Sequence, residues 1–113
     1  MIKIYHNNRC SKSRCGVDLL ENSGKEFEII KYLNTPPNLE QLQHIIDLLG
    51  ITPIELVRKN EAIWKENFKG KILSDSDVIS AMIENPKLIE RPIVINGNKA
   101  VIGRPTEKIL DII

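Results

Sequence analysis

The sequence predicts an α/β fold in which helices flank a four-stranded mixed sheet. Three observations indicate this fold: a strand–helix–strand pattern at the start, a helical middle, and a β-hairpin followed by a short helix at the end. The predicted order of elements is βαβ, a helical insertion, and ββα. A chain of 113 residues is the size of one compact domain. We therefore expect a single domain over residues 1–113, with the insertion at about 38–86.

The first part of the chain is typical of a βαβ unit. Residues 2–6 and 27–30 are short β-prone runs. A helix is predicted between them, from residues 11–13 to Gly24, and the two strands are therefore expected to be parallel. The apolar residues that this helix should bury are Val17, Leu19 and Leu20.

Capping signals predict the helices of the insertion. Asn38, with a glutamine three residues later, is typical of a capping box, and the apolar residues after it recur at helical spacing up to Gly50. A second capping signal, with proline at the first helical position, lies at 52–55. A third signal at 74–77 predicts a helix that stops before Pro86.

Near the end of the chain the residue pattern changes from that of helices to that of β-strands. The β-prone runs 92–95 and 99–102 flank Asn96-Gly97-Asn98, which is a hairpin signal. A last helix is predicted from about Pro105, and the residues that it should bury are Ile109 and Leu110. Together these elements give the outline of the thioredoxin fold.

Charge and composition exclude two classes of partner. The chain has 16 Lys and Arg against 15 Asp and Glu, so it lacks the basic excess that is typical of nucleic-acid binding. Its apolar runs are too short to span a membrane, and the N-terminus lacks the long apolar stretch of a secretory signal. Two cysteines in such a chain indicate free thiols. We expect a cytoplasmic protein and a monomer.

Cys10 is the candidate nucleophile. It follows the first strand in a polar loop, at the edge of the sheet where ligands usually bind. The N-terminus of the next helix favours negative charge and can lower a thiol pKa from about 8.5 to roughly 3.5–7.5. The charges of Arg9, Lys12 and Arg14 favour the same shift, as does His6 if its ring faces the site. The alternative, a small buried apolar cysteine, is disfavoured by these polar neighbours.

The second cysteine is not placed like the partner in a Cys-x-x-Cys pair. Ser13 occupies that position, and Cys15 lies five residues after Cys10. A helix would separate their Cα atoms by roughly 7.5 Å, beyond the limit of about 7 Å for a disulfide. We therefore expect Cys15 to be a packing residue and Cys10 to depend on an external thiol. Ser13 is either a hydrogen-bond donor to the thiolate or a helix cap.

Three arginines next to structural boundaries are candidates for anion binding. They are Arg58, Arg91 and Arg104, and the last two directly precede prolines. The guanidinium group has five donors in a rigid fork that suits tetrahedral oxyanions. A cis peptide bond before Pro92 would place its backbone beside Cys10. Surface arginines are common, so no single one of the three decides the function.

Six segments of the chain carry a family resemblance. They are Ile4-Tyr5-His6-Asn7, Arg9-Cys10-Ser11-Lys12-Ser13-Arg14, Tyr32-Leu33-Asn34-Thr35-Pro36-Pro37, Val57-Arg58-Lys59-Asn60-Glu61, Glu90-Arg91-Pro92-Ile93-Val94 and Gly103-Arg104-Pro105-Thr106-Glu107. In kind and order they resemble the glutaredoxin-coupled arsenate reductases of the thioredoxin-like superfamily. The resemblance covers nearly the whole chain.

The resemblance implies roles for the matching residues. Cys10 corresponds to the nucleophile of the family, and the residues that correspond to its oxyanion-binding arginines are Arg58, Arg91 and Arg104. The supporting positions around the thiolate are His6, Ser13, Arg14 and Pro92. The implied activity is that of an oxidoreductase that reduces arsenate to arsenite in arsenic detoxification. Glutathione is the implied co-substrate and glutaredoxin the partner, with no bound cofactor and no metal.

Two other functions stay open at this point. The first is a thiol oxidoreductase that acts on another glutathione-linked substrate, with the arginines binding carboxylates. The second is an Spx-like regulator that binds RNA polymerase and senses thiol stress. Such regulators typically carry Cys-x-x-Cys, which Ser13 removes here.

Overall fold

The computed structural model describes all 113 residues and contains the predicted mixed sheet. Its strands are β1 (Ile2–Tyr5), β2 (Phe27–Ile30), β3 (Ile93–Asn96) and β4 (Lys99–Ile102). They lie in the order β2-β1-β3-β4. β1 pairs in parallel with β2, whereas β3 is antiparallel to both β1 and β4. The α/β class and the thioredoxin-like order of the strands are confirmed.

Four α-helices and three 3-10 helices complete the fold. The α-helices are α1 (Ser11–Asn22), α2 (Leu39–Leu49), α3 (Ala62–Asn67) and α4 (Asp75–Glu84). The 3-10 helices are Pro53–Leu56, Pro86–Leu88 and Thr106–Asp111. The capping signal at 52–55 therefore begins only a 3-10 turn, and α3 was not predicted. None of the helices combines the length and the apolar character that crossing a membrane requires.

Local sequence explains where the longer helices begin and end. The Asn38 side chain accepts the backbone N–H of Gln41, and the Gln41 side chain accepts the N–H of Asn38. Gly50 ends α2 with a φ of 67°, a left-handed conformation that glycine adopts without steric cost. Ser74 and Asp77 form a second reciprocal box at the start of α4. The caps predicted at Asn38 and Ser74 are confirmed, and the box predicted at 52–55 is present at the start of a 3-10 helix.

Contacts divide the chain into two compact units. The first consists of Met1–Thr35 with Arg91–Ile113, and the second is Pro36–Glu90. The predicted insertion at about 38–86 lies within the second unit. That both units fold as one domain stays a prediction.

The core of the first unit forms where α1 and the last 3-10 helix meet the sheet. Its buried members are Ile2, Ile4, Leu20, Val94 and Ile109. Helix α1 buries Ser13, Gly16 and Leu20, a spacing of three and four residues that places them on one face. The expectation that Leu110 is buried was wrong, because it is 58% exposed. The tighter 3-10 turn directs Ile109 inward and its neighbour outward.

The second unit is built on helix packing. Helix α2 contacts α4, and α4 contacts the 3-10 helices on either side of it in sequence. The buried side chains of α2 and α4 are Leu42, Ile45, Ile46, Val78, Ile79, Ala81 and Met82. Trp64 of α3 is buried and stacks on Phe68 with ring centroids 5.4 Å apart. This unit also holds a β-bridge between Val57 and Ile89.

Candidate active site

Cys10 lies at the junction of the β1–α1 loop and the first helix. It is the N-cap residue of α1, with extended backbone angles, and its side chain is partly exposed. Residues 7–10 form a tight turn in which the Cys10 N–H donates to the Asn7 carbonyl at 3.0 Å. The predicted placement of Cys10 at a helix N-terminus is therefore confirmed.

The surroundings of Cys10 favour its thiolate. Burial raises the pKa of the thiol, but hydrogen bonds from the backbone N–H of Ser13, the Arg91 guanidinium and the backbone N–H of Lys12 outweigh it, together with the charge of Arg91. The net result is a pKa below the ordinary value for cysteine. In addition, Nη2 of Arg104 lies 3.4 Å from the sulfur and donates to it. Donors of this kind stabilise the charged form of a thiol.

Two of the three predicted arginines meet at this thiol. Arg91 is buried, at 9% exposure, and its carbonyl accepts Nε of Arg104 at 2.7 Å. The Gly103 N–H donates to the Pro92 carbonyl at 2.8 Å and joins the same two segments. The bonds Arg91-Pro92 and Arg104-Pro105 are both cis, so the isomer considered for Pro92 is the one present. Arg91 and Arg104 thus form one cationic surface beside Cys10.

His6 and Ser13 support the loop from the helix side. Ser13 is fully buried, and its hydroxyl contacts His6 Nδ1 at 2.8 Å and accepts the Asn7 N–H at 2.9 Å. Burial lowers the pKa of His6, a hydrogen bond with Ser13 raises it, and the charges of Lys31 and Arg14 lower it, with a net lowering. This lowering favours the neutral form of the imidazole. The hydroxyl of Ser13 holds the loop, while its backbone N–H acts on Cys10.

The charges next to Cys10 in sequence do not act as expected. The charge that lowers its pKa comes from Arg91, and Lys12 contributes through its backbone N–H. Arg14 is exposed and donates from Nη1 to the Asn8 carbonyl at 3.0 Å. The sequence reasoning also missed Asn7, which is buried and accepts the Arg9 N–H on its side-chain oxygen at 3.0 Å. An asparagine two residues before a turn amide is the signal that would have found it.

Arg58 lies in the second unit. Its Nη1 pairs with Glu90 at 2.8 Å and its Nε lies 3.8 Å from a Glu61 oxygen. Its backbone N–H donates to the Leu88 carbonyl at 2.7 Å. The carboxylates fix the guanidinium in a part-buried position. The assignment of Arg58 as a third anion-binding residue stays a prediction.

Cys15 is exposed, so the expectation that it is a packing residue was wrong. The buried face of α1 includes Gly16 and Leu20. Successive residues of a helix are rotated by about 100°, so Cys15, which directly precedes Gly16, points away from this face. Both Cys10 and Cys15 are free thiols. No group of three or more His, Cys, Asp and Glu side chains is arranged to hold a metal ion.

Comparison with known proteins gives one consistent result. The sequence profile of the ArsC family matches residues 5–112. The chain is 46% identical over 114 residues to the Escherichia coli K12 protein YfgD, covering 99% of this chain and 96% of that one. It is 42% identical over 110 residues to an arsenate reductase of Neisseria meningitidis serogroup A, covering 96% and 94% of the two chains. The solved arsenate reductase of Vibrio cholerae superimposes with a TM-score of 0.94 at 45% identity, covering 99% of this chain and 97% of that chain.

Proposed function

The chain belongs to the ArsC family, and on that premise we propose that it reduces arsenate to arsenite with Cys10 as the nucleophile. The observation that carries the proposal is the contact of the Cys10 thiol with the guanidinium groups of Arg91 and Arg104. A thiolate and an anion-binding surface at the same point are the two requirements for a thiol that attacks an oxyanion.

The two arginines would bind the substrate before the thiol reacts. Arsenate is a tetrahedral anion at neutral pH, and a guanidinium fork binds such anions through paired N–H donors. Because Nη2 of Arg104 already lies 3.4 Å from the sulfur, an oxyanion that exchanges into this contact brings its central atom within reach of the thiolate. We include Arg58 as a third ligand in this proposal on the resemblance alone.

The reaction would proceed in two balanced steps. In the first, the Cys10 thiolate forms a sulfur–arsenic bond, and a hydroxyl of arsenate takes up one proton from solvent and leaves as water. In the second, glutathione attacks the Cys10 sulfur, and the electron pair of the sulfur–arsenic bond passes to arsenic, which leaves as arsenite. The two electrons come from the two thiols, and the product on the protein is a Cys10–glutathione disulfide.

Glutaredoxin would then regenerate the enzyme. Its thiolate attacks the glutathione sulfur of the mixed disulfide and expels the Cys10 thiolate. A low thiol pKa makes a better leaving group, so the donors that stabilise the Cys10 thiolate serve this last step as well. Cys15 is not required in this series of reactions.

The test is arsenate-dependent oxidation of NADPH, coupled through glutathione reductase with glutathione and glutaredoxin supplied. We expect turnover that is abolished in Cys10→Ser and largely retained in Cys15→Ser, the matched change at the other free thiol. A folded but inactive Cys15→Ser would make Cys15 a resolving thiol and contradict the scheme. No turnover of arsenate by the wild type, with a reactive Cys10, would favour another glutathione-linked substrate.

Lysine variants test the arginine surface. Arg91→Lys and Arg104→Lys keep the charge and lose the fork, so we expect a higher KM for arsenate, with Arg58→Lys behaving in the same way. Unchanged arsenate kinetics in Arg91→Lys and Arg104→Lys would remove the anion-binding role. Unchanged kinetics in Arg58→Lys alone would limit the site to the other two arginines.

A further inference from the structure

The loop that carries Cys10 is a β-turn with an identifiable type. The Cys10 N–H donates to the Asn7 carbonyl, which places Asn8 and Arg9 at the two central positions. No residue other than glycine has a positive φ in this chain. Turns of types II, I′ and II′ need a positive φ at a central position, so the loop has the backbone of a type I turn. The Asn7 side chain reinforces it through the Arg9 N–H.

Arg14 bonds to this turn at two points. Its backbone N–H donates to the Cys10 carbonyl at 3.0 Å, as the first turn of α1 requires. Its side chain reaches back and donates from Nη1 to the Asn8 carbonyl, also at 3.0 Å. The two acceptors lie on either side of the peptide segment that carries the sulfur. One residue of the helix therefore holds the loop before and after the nucleophile.

The position of the loop determines which donors reach the sulfur. The Cys10 sulfur is contacted by Arg91 and Arg104, which lie in other parts of the first unit. Hydrogen bonds weaken steeply with length and misalignment. A small shift of the turn would therefore weaken the hydrogen bonds from the two arginines to the Cys10 sulfur. The charge of Arg14 itself acts on His6.

We propose that Arg14 is a positioning residue, whose guanidinium clamps the Asn8 carbonyl and thereby holds the Cys10 thiol against Arg91 and Arg104. The clamp adds to the function proposed above and rests on Cys10 being the nucleophile. The directed donor is essential to it, and a positive charge alone is insufficient. Lysine is shorter and ends in a compact ammonium on a flexible stem, so we expect it to hold the Asn8 carbonyl less firmly.

The test measures the thiol and does not use arsenate. In a Cys15→Ser background, the alkylation rate of Cys10 by iodoacetamide is followed against pH, which gives its pKa. We expect Arg14→Gln and Arg14→Lys to lower the acid dissociation constant of the Cys10 thiol to the same extent. The expected change is about threefold to tenfold, which corresponds to the net free energy of one hydrogen bond. Arg9→Gln, which removes the same charge from the adjacent turn, should leave the profile unchanged. A pH profile of Arg14→Lys equal to that of the parent protein, or an effect of Arg9→Gln as large as that of Arg14→Gln, would overturn the clamp.

A rescue variant tests the mechanism of the effect. Proline fixes φ near −65° and suits the first central position of a type I turn, so Asn8→Pro should stiffen the loop without the clamp. We expect Asn8→Pro combined with Arg14→Lys to return the Cys10 profile to that of the parent. A double variant as impaired as Arg14→Lys would overturn the proposal. If the Arg14 and Arg9 variants show the expected alkylation profiles but the wild-type protein does not reduce arsenate, the proposed activity is refuted and the clamp is retained.

Discussion

Ser13 provides a sharp test of how the nucleophile loop is held. Its hydroxyl is fully buried and has two partners, the backbone N–H of Asn7 at 2.9 Å and Nδ1 of His6 at 2.8 Å. Ser13→Ala removes the hydroxyl and leaves the buried Asn7 N–H without that acceptor. The backbone N–H of residue 13, which lowers the pKa of Cys10, is retained. The variant therefore isolates the anchoring of the loop.

The expected loss of stability follows from the contact with the buried Asn7 N–H. Leaving a buried hydrogen-bonding group unsatisfied costs about 1–3 kcal/mol. Alanine is the better helix former by about 0.5 kcal/mol, which offsets part of it, so the net loss is about 0.5–2.5 kcal/mol. For a chain of this length, 1 kcal/mol corresponds to about 4 °C in Tm. We expect a fall in Tm of about 2–10 °C.

Ser11→Ala is the matched control. Ser11 is the first residue of α1 and is exposed, so the same chemical change there should alter stability by less than about 0.5 kcal/mol. Denaturant unfolding of the two variants, followed by far-UV circular dichroism, compares them directly. Equal stabilities for Ser13→Ala and Ser11→Ala would refute the view that the buried hydroxyl anchors the loop.

Three further predictions concern stability. The lowered pKa of His6 means that the unfolded state takes up its proton first as pH falls. Stability should therefore decline as pH falls below about 6.5 towards the folded-state pKa, and His6→Gln should flatten this decline in unfolding curves from pH 7 to 5; parallel curves would count against it. Gly103→Ala would place a Cβ 2.9 Å from Pro92 Cγ and 3.1 Å from Ile109 Cδ1, and this overpacking should cost about 1–3 kcal/mol in denaturant unfolding, so an unchanged midpoint would disprove the close approach. Asn38→Ala should cost about 1 kcal/mol through loss of the α2 cap, and no change in thermal unfolding would mean that the cap contributes nothing.

The sequence predicted the elements whose signals are local. The reciprocal bonds of Asn38 with Gln41 involve residues three apart, so the start of α2 could be predicted from the printed chain. Helix α3 has only six residues and its first residue follows Glu61, which makes no side-chain cap. Such a short helix depends on tertiary packing, here of the buried Trp64, more than on local preference. Leu110 was misassigned because adjacent residues of a helical turn point in different directions, and only Ile109 faces the core.

The site was predictable in its residue types and less so in its connections. Cys10 could be placed because a loop between a strand and a helix has a defined position in a βαβ unit. Its contact with Arg104 joins residues 94 apart, and no local pattern specifies such a contact; the resemblance identified the arginine, and the structure located it. The effect of Arg91 on the pKa of Cys10 likewise depends on the pairing of β1 with β3. The clamp from Arg14 to Asn8 was missed, because an exposed arginine on a helix is ordinarily only a solvated charge.

In the proposed reaction, Cys10 accepts arsenic and then glutathione at the site formed by Arg91 and Arg104. The most direct measurement is intact-mass spectrometry of the Cys15→Ser protein after incubation with arsenate and glutathione, without glutaredoxin. We expect one glutathione bound to Cys10 for each arsenite released, and only when arsenate is present. Arsenite formed without the adduct, or an adduct that forms equally without arsenate, would contradict it.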